Sequence, residues 1–166
     1  MYDELTKSDL KKMQEEIDYR VQTLRPKLIE DVQTARAFGD LSENFEYKCA
    51  KQEKNRNDAR VRYLQRMIKT AHVIDDTSAA DAAGLWDTVE IRMETTGATR
   101  KIRLVTTLRQ DALKGLISKE SPLGKAVMGR KVGEQAWVDA ETGRYCVEIV
   151  SIEKGKDDES LPISSF

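Results

Sequence analysis

Two carboxylates three residues apart, Asp40 and Glu43, stand in the string Ala37-Phe38-Gly39-Asp40-Leu41-Ser42-Glu43-Asn44. Spacing alone leaves two readings open. Asp40-x-x-Glu43 has the form of a capping box, and Ser42 can cap as well. The same pair can hold magnesium, a hard ion that keeps several waters and is commonly bound by one or two carboxylates plus substrate phosphates. Such a metal activates water or stabilises a leaving oxygen. One acid can cap while the other ligates, so the readings are compatible.

The elements around the pair decide where it points. Thr6-x-x-Asp9 opens a helix, with Thr6 as its cap and Asp9, Glu15 and Glu16 suited to its positive end. Leu10, Met13, Ile17, Val21, Leu24, Leu28, Val32, Ala35 and Phe38 recur at steps of three and four, which predicts one apolar seam. Pro26 lies inside it and predicts a kink, and Gly39 ends it. A second helix is expected from about Glu43 to His72, its seam formed by Phe45, Cys49, Val61, Leu64, Ile68 and Ala71. Together they predict an antiparallel coiled-coil hairpin over residues 1–76, with its tip near 39–44. Acids on a tip have no pocket around them. They suit a protein that carries its chemistry into another protein's active site.

The returning helix is basic. Between residues 48 and 69 there are eight bases (Lys48, Lys51, Lys54, Arg56, Arg60, Arg62, Arg66, Lys69) against two acids (Glu53, Asp58), a local charge of +6 on a chain of net charge −1. A charge run is commonly a solvated face, but its place behind an acidic tip favours contact with a polyanion. Aromatic residues do not interleave with it in a way that predicts base stacking.

Residues 77–84 form a small-residue linker. Beyond it the pattern changes to alternation: Trp86 to Met93, Arg100 to Val105, Glu134 to Ala140 and Arg144 to Ile152, with turns at Thr95-Thr96-Gly97 and Glu141-Thr142-Gly143. Ser121-Pro122 starts a short helix. The fold class is therefore α+β: a helical hairpin plus a compact domain, 85–154, with a mostly antiparallel sheet. Residues 155–166 form a polar tail, expected to fray.

Several chemistries are excluded. The two cysteines, Cys49 and Cys146, are far apart and the single histidine, His72, has no cysteine partner, so zinc and Cys-His or Ser-His-Asp nucleophiles are not expected. Both cysteines read as reduced packing residues. No apolar run approaches the ~20 residues that span a membrane. A cytoplasmic protein without membrane partners is expected.

The string Gly-Asp-Leu-Ser-Glu-Asn-Phe-Glu-Tyr, residues 39–47, resembles the signature of the bacterial GreA/GreB transcript-cleavage factors. So do Leu5-Thr6, Arg25-Pro26, Arg60, Val73-Ile74-Asp75, Ile117-Ser118, the Ser121–Ala126 string and Gly129–Gly133. The resemblance covers nearly the whole chain. It implies that the hairpin enters the secondary channel of RNA polymerase while an FKBP-like C-terminal domain grips the rim. Asp40 and Glu43 would then act at the catalytic centre, holding a magnesium ion shared with the polymerase and not bound tightly by the free protein. The polymerase would hydrolyse the 3′ end of backtracked nascent RNA, with this chain as its cofactor and not an enzyme itself. The resemblance also implies RNA or polymerase contacts for Ser42, Asn44, Tyr47, Lys51, Lys54 and Arg56. Glu120, Ser121 and Pro122 fall in what resembles a polymerase-docking loop. The free protein is expected to be a monomer.

Asn55-Arg56 stands where GreA proteins often carry a Gly-aromatic pair, and residues 58–64 look more like GreB. Two other functions fit parts of the pattern. One is a Gre-like channel binder that does not cleave, and the intact acid pair speaks against it. The other is a prolyl isomerase or chaperone on the FKBP-like domain, and its few aromatics, Trp86, Trp137 and Tyr145, give little for a proline pocket.

Overall fold

A computed structural model describes residues 3–39, 43–75 and 78–165. The chain divides into two compact units, Leu10–Ala71 and Asp3–Asp9 with His72–Phe166.

The first unit is the hairpin. Helix α1 (Lys7–Tyr19) passes into a five-residue π-helical segment, Arg20–Leu24, and then into α2 (Arg25–Arg36). Helix α3 (Phe45–Thr70) returns alongside. The pairs Glu16–Arg60, Arg25–Asp58 and Ala35–Asn44 descend on one side as they rise on the other, so the helices run antiparallel. Pro26 explains the π segment. It has no N–H to give in the α-helical ladder, and the Arg25 N–H reaches back five residues to the Arg20 carbonyl. The predicted kink is realised as this change of helical period.

Met13, Ile17, Leu28, Ala35, Val61 and Leu64 are buried in the seam as expected. Three seam assignments need correction: Val21, Phe38 and Phe45 are 41%, 73% and 75% exposed. Val21 lies in the π segment, where the wider turn rotates it out of phase. Phe38 follows the last turn of α2. Phe45 is twelve residues before buried Asn57, and at ~100° per residue that places it about 120° away from the seam.

In the second unit, five strands are ordered β5-β4-β3-β7-β6: β3 (Thr88–Met93), β4 (Thr99–Val105), β5 (Leu116–Ser118), β6 (Gln135–Ala140) and β7 (Gly143–Glu153). Every pairing is antiparallel except β4 with β5. The α+β class and the mostly antiparallel sheet are as predicted. Alternate residues Val89, Ile91, Ile102, Leu104, Val138, Val147 and Ile149 point into one core, which also receives Val127 from α4 (Pro122–Val127). Ser121 caps α4, as its proline-adjacent position suggests. The two-residue strands β1 (Glu4–Leu5) and β2 (His72–Val73) pair in parallel.

Thr6 and Asp9 form a reciprocal cap: the Thr6 N–H donates to Asp9 Oδ2 at 3.1 Å and the Asp9 N–H to Thr6 Oγ1 at 3.3 Å. Asp9 is fully buried and also accepts from Arg109 Nε at 2.7 Å. The small-residue stretch read as a linker is fastened over its second half. The Ala83 N–H donates to the Arg130 carbonyl, and Lys154 Nζ reaches the Ala79 and Ala82 carbonyls and Asp87. The C-terminal segment is also held, by Arg103 on the Lys156 carbonyl and by the Ser164 N–H on the Leu108 carbonyl.

Candidate functional site at the hairpin tip

The tip is organised by Asn44. Its backbone is extended (φ −82°, ψ 97°), its Oδ1 accepts the Tyr47 N–H at 3.0 Å, and its Nδ2 donates to the Ala35 carbonyl at 2.6 Å. One side chain therefore caps the start of α3 and satisfies a carbonyl at the end of α2. This corrects the reading of Asp40-x-x-Glu43 as the cap: the residue that caps α3 is Asn44. Asp40 and Ser42 lie outside the described residues. Glu43 immediately precedes the cap, is exposed, and has no partner among the described residues.

That placement suits a ligand contributed to someone else's metal. Among the described residues there is no group of three or more His, Cys, Asp or Glu able to hold an ion. One or two carboxylates hold magnesium when waters, substrate phosphates or partner groups complete its six oxygens. Phe38, Gly39, Glu43, Asn44, Phe45 and Glu46 line an open cleft of ≈ 500 Å³. Gly39 is at φ +144°, in the region that favours glycine.

Along α3 the predicted contact residues differ in availability. Tyr47 is half-buried, with the Lys51 ammonium 5.9 Å above its ring. Lys51 and Arg56 are exposed. Lys54 is engaged by Asp58 at 3.2 Å, and Asp58 also meets Arg25 at 3.1 Å. Arg60 turns inward, 2.9 Å from Glu16, which also takes Arg20 at 2.7 Å. Partial burial opposes ionisation of Glu16, but the Arg60 and Arg20 guanidiniums outweigh it and hold the carboxyl below its ordinary range. Part of the basic run thus holds the hairpin together.

Glu120, Ser121 and Pro122 lie in the second unit. Ser121 Oγ accepts the Gly124 N–H at 3.0 Å and donates to the Ser118 carbonyl at 2.7 Å. Glu120 is exposed, 3.4 Å from Lys119 and 3.8 Å from Lys125. A groove walled by Ile117, Pro122, Leu123, Val138 and Tyr145 adjoins this loop. No helix is long and apolar enough to cross a membrane among the described residues.

Comparison with known proteins covers both units. Residues 4–73 match the family described as "Transcription elongation factor, N-terminal", and residues 78–154 the one described as "Transcription elongation factor, GreA/GreB, C-term". The chain is similar to the transcription elongation factor GreA of Mesoplasma florum, 36% identical over 89% of this chain and 96% of that protein. It is 38% identical to the GreA of Caldanaerobacter subterraneus subsp. tengcongensis, over 90% of this chain and 96% of that one. Among solved structures, the GreA factor homolog 1 protein of Thermus thermophilus is 22% identical, with 93% of this chain and 100% of that chain covered at a TM-score of 0.43.

Proposed function

Because this chain belongs to the GreA/GreB family of transcription elongation factors, we propose that Asp40 and Glu43 are the residues through which it stimulates transcript cleavage by bacterial RNA polymerase in the cytoplasm. It is a cofactor of that cleavage, and the polymerase is the catalyst. The hairpin enters the secondary channel, and the loop at Glu120, Ser121 and Pro122 meets the rim. A magnesium ion held jointly with the polymerase would supply charge stabilisation and an activated water at the phosphodiester.

Within this chain, Asn44 ties the start of α3 to the end of α2, so Glu43 directly precedes a fixed helix start. The exposed Glu43 carboxylate supports the reading most directly: since Asn44 does the capping, Glu43 is left for a metal or its water. Lys51 and Arg56 lie where they can meet the phosphates of the extruded 3′ segment, with Tyr47 and Lys54 flanking them. Ser42 adjoins the acids in the chain. Neutralising this polyanion as it leaves the active centre favours its retention.

The test is release of labelled 3′ fragments from a stalled, backtracked elongation complex with magnesium. Asp40→Ala and Glu43→Ala should each lower the rate by at least a hundredfold while competing with wild type for polymerase at unchanged affinity. A parallel fall in affinity would assign the acids to folding or docking and refute the reading.

A further inference from the structure

We propose that Phe45 is a stacking platform for an unpaired base of the extruded RNA, with Phe38 lining the same cleft and Lys48 and Arg56 as the phosphate track. This deepens the cleavage-factor reading and rests on it. The observation behind it is the failed burial of two large aromatics. Phe38 and Phe45 are 73% and 75% exposed, and both line the cleft at the tip.

The occupant follows from what surrounds them. At ~100° per residue, Phe45, Lys48 and Arg56 fall within about 80° of one another on α3, facing away from the seam of Asn57, Val61 and Leu64. Lys48 and Arg56 are exposed. An aromatic face at one end of a cationic stripe is the arrangement that holds single-stranded nucleic acid, where bases stack and phosphates follow the charge. Glu43 and Glu46 also line the cleft. Their charge repels phosphate, so the cleft takes the base while the backbone runs along the lysine and arginine side. An apolar protein wall would have no use for that stripe. Stacking is indifferent to base identity, because every base has a π-face, which suits a factor that must act on any transcript.

The test compares backtracked complexes whose extruded 3′ segment is either base-bearing or abasic. Phe45→Ala should slow cleavage roughly tenfold on the base-bearing complex and less than twofold on the abasic one. Affinity for polymerase should hold, and Phe45→Trp should restore the rate. Equal loss on both complexes, weakened polymerase binding, or no loss at all would overturn the proposal. A second readout is independent of cleavage: 2-aminopurine placed in the extruded segment should be quenched by the bound wild-type factor and not by Phe45→Ala or Phe45→Leu. If wild type binds polymerase and gives no fragments, the cleavage reading fails, and the quenching alone decides the stacking. Quenching unchanged by Phe45→Leu would overturn it.

Discussion

The Asn57 side-chain amide donates to the Arg20 backbone carbonyl at 3.2 Å, and the Arg20 guanidinium donates back to Asn57 Oδ1 at 3.0 Å. Asn57 is only 3% exposed, at a position where a seam would ordinarily carry an apolar residue. The Arg20 carbonyl is also the one that takes the Arg25 N–H across the π segment. The buried amide therefore meets the helix irregularity and pins one helix against the other at that level. A single polar residue in a seam is a known means of fixing register. Asn57→Leu should lower stability by about 1–2 kcal/mol through loss of two hydrogen bonds. Urea unfolding followed by helical circular dichroism reads this, and an unchanged or raised midpoint would show that the pair carries no net stability.

Asn44→Ala removes both the cap of α3 and the tie to the Ala35 carbonyl. Loss of a cap costs about 1 kcal/mol. The larger effect should fall on function, because Glu43 loses the fixed helix start that follows it. Transcript cleavage is expected to drop severalfold while polymerase affinity stays within twofold. Asn44→Asp keeps the acceptor for the Tyr47 N–H and loses the amide donor, so it should retain helix content and lose part of the cleavage. Full activity in Asn44→Asp would show that the Ala35 tie is dispensable.

The hairpin and the sheet were legible because both rest on periodicity; the cap at Thr6 and the short helix after Ser121-Pro122 were legible from residue type. What escaped was set by geometry that no period encodes. Pro26 announced a kink, but not that the chain would absorb it as five π-helical residues and turn Val21 outward. Phe45 looked like a seam residue because its spacing to Cys49 is right; its phase to Val61 and Leu64, sixteen and nineteen residues on, is wrong. The tip string holds three residues of cap-forming type, Asp40, Ser42 and Asn44, and residue type alone does not single out Asn44, whose extended backbone and bond to the Tyr47 N–H make it the cap of α3. Strands β1, β2 and β5 have two or three residues and carry no pattern of their own. Arg109 gave no signal either, since its partners are distant in the chain.

Glu16 predicts a pH response of the hairpin. Its carboxyl is held below its ordinary range, as Arg60 and Arg20 outweigh the opposing cost of burial. A group whose folded pKa is depressed contributes stability above its unfolded pKa, near 4.3, and that contribution is lost as pH falls through the lower folded value. Hairpin stability should therefore decline below about pH 4.3 more steeply in wild type than in Glu16→Gln. The variant should be less stable at pH 7 by about 2 kcal/mol. Parallel acid limbs for the two proteins would remove Glu16 from the account.

Arg109 is 1% exposed and spends nearly all its donors: Nε on Asp9 at 2.7 Å, one terminal nitrogen on the Asp158 and Leu161 carbonyls at 2.8 and 3.1 Å, and the other on Ser8 Oγ at 2.9 Å. Its guanidinium also lies 5.4 Å from the Trp86 ring centre. Asp9 is 0% exposed, so removing the arginine strands a buried carboxylate. Breaking a buried pair from one side costs about 3–5 kcal/mol, whereas replacing both partners can be nearly neutral. Arg109→Met should lose that amount, and Asp9→Asn with Arg109→Met should recover part of it. Arg109→Lys keeps the charge without the planar fork and should fall between them. The Asp158 and Leu161 carbonyls lose their donor in Arg109→Met, so limited proteolysis should cut residues 155–165 faster in that variant. A stability within 1 kcal/mol of wild type, with an equally protected C-terminal segment, would mean that Asp9 finds other donors and that Arg109 is not what holds these strands of chain together.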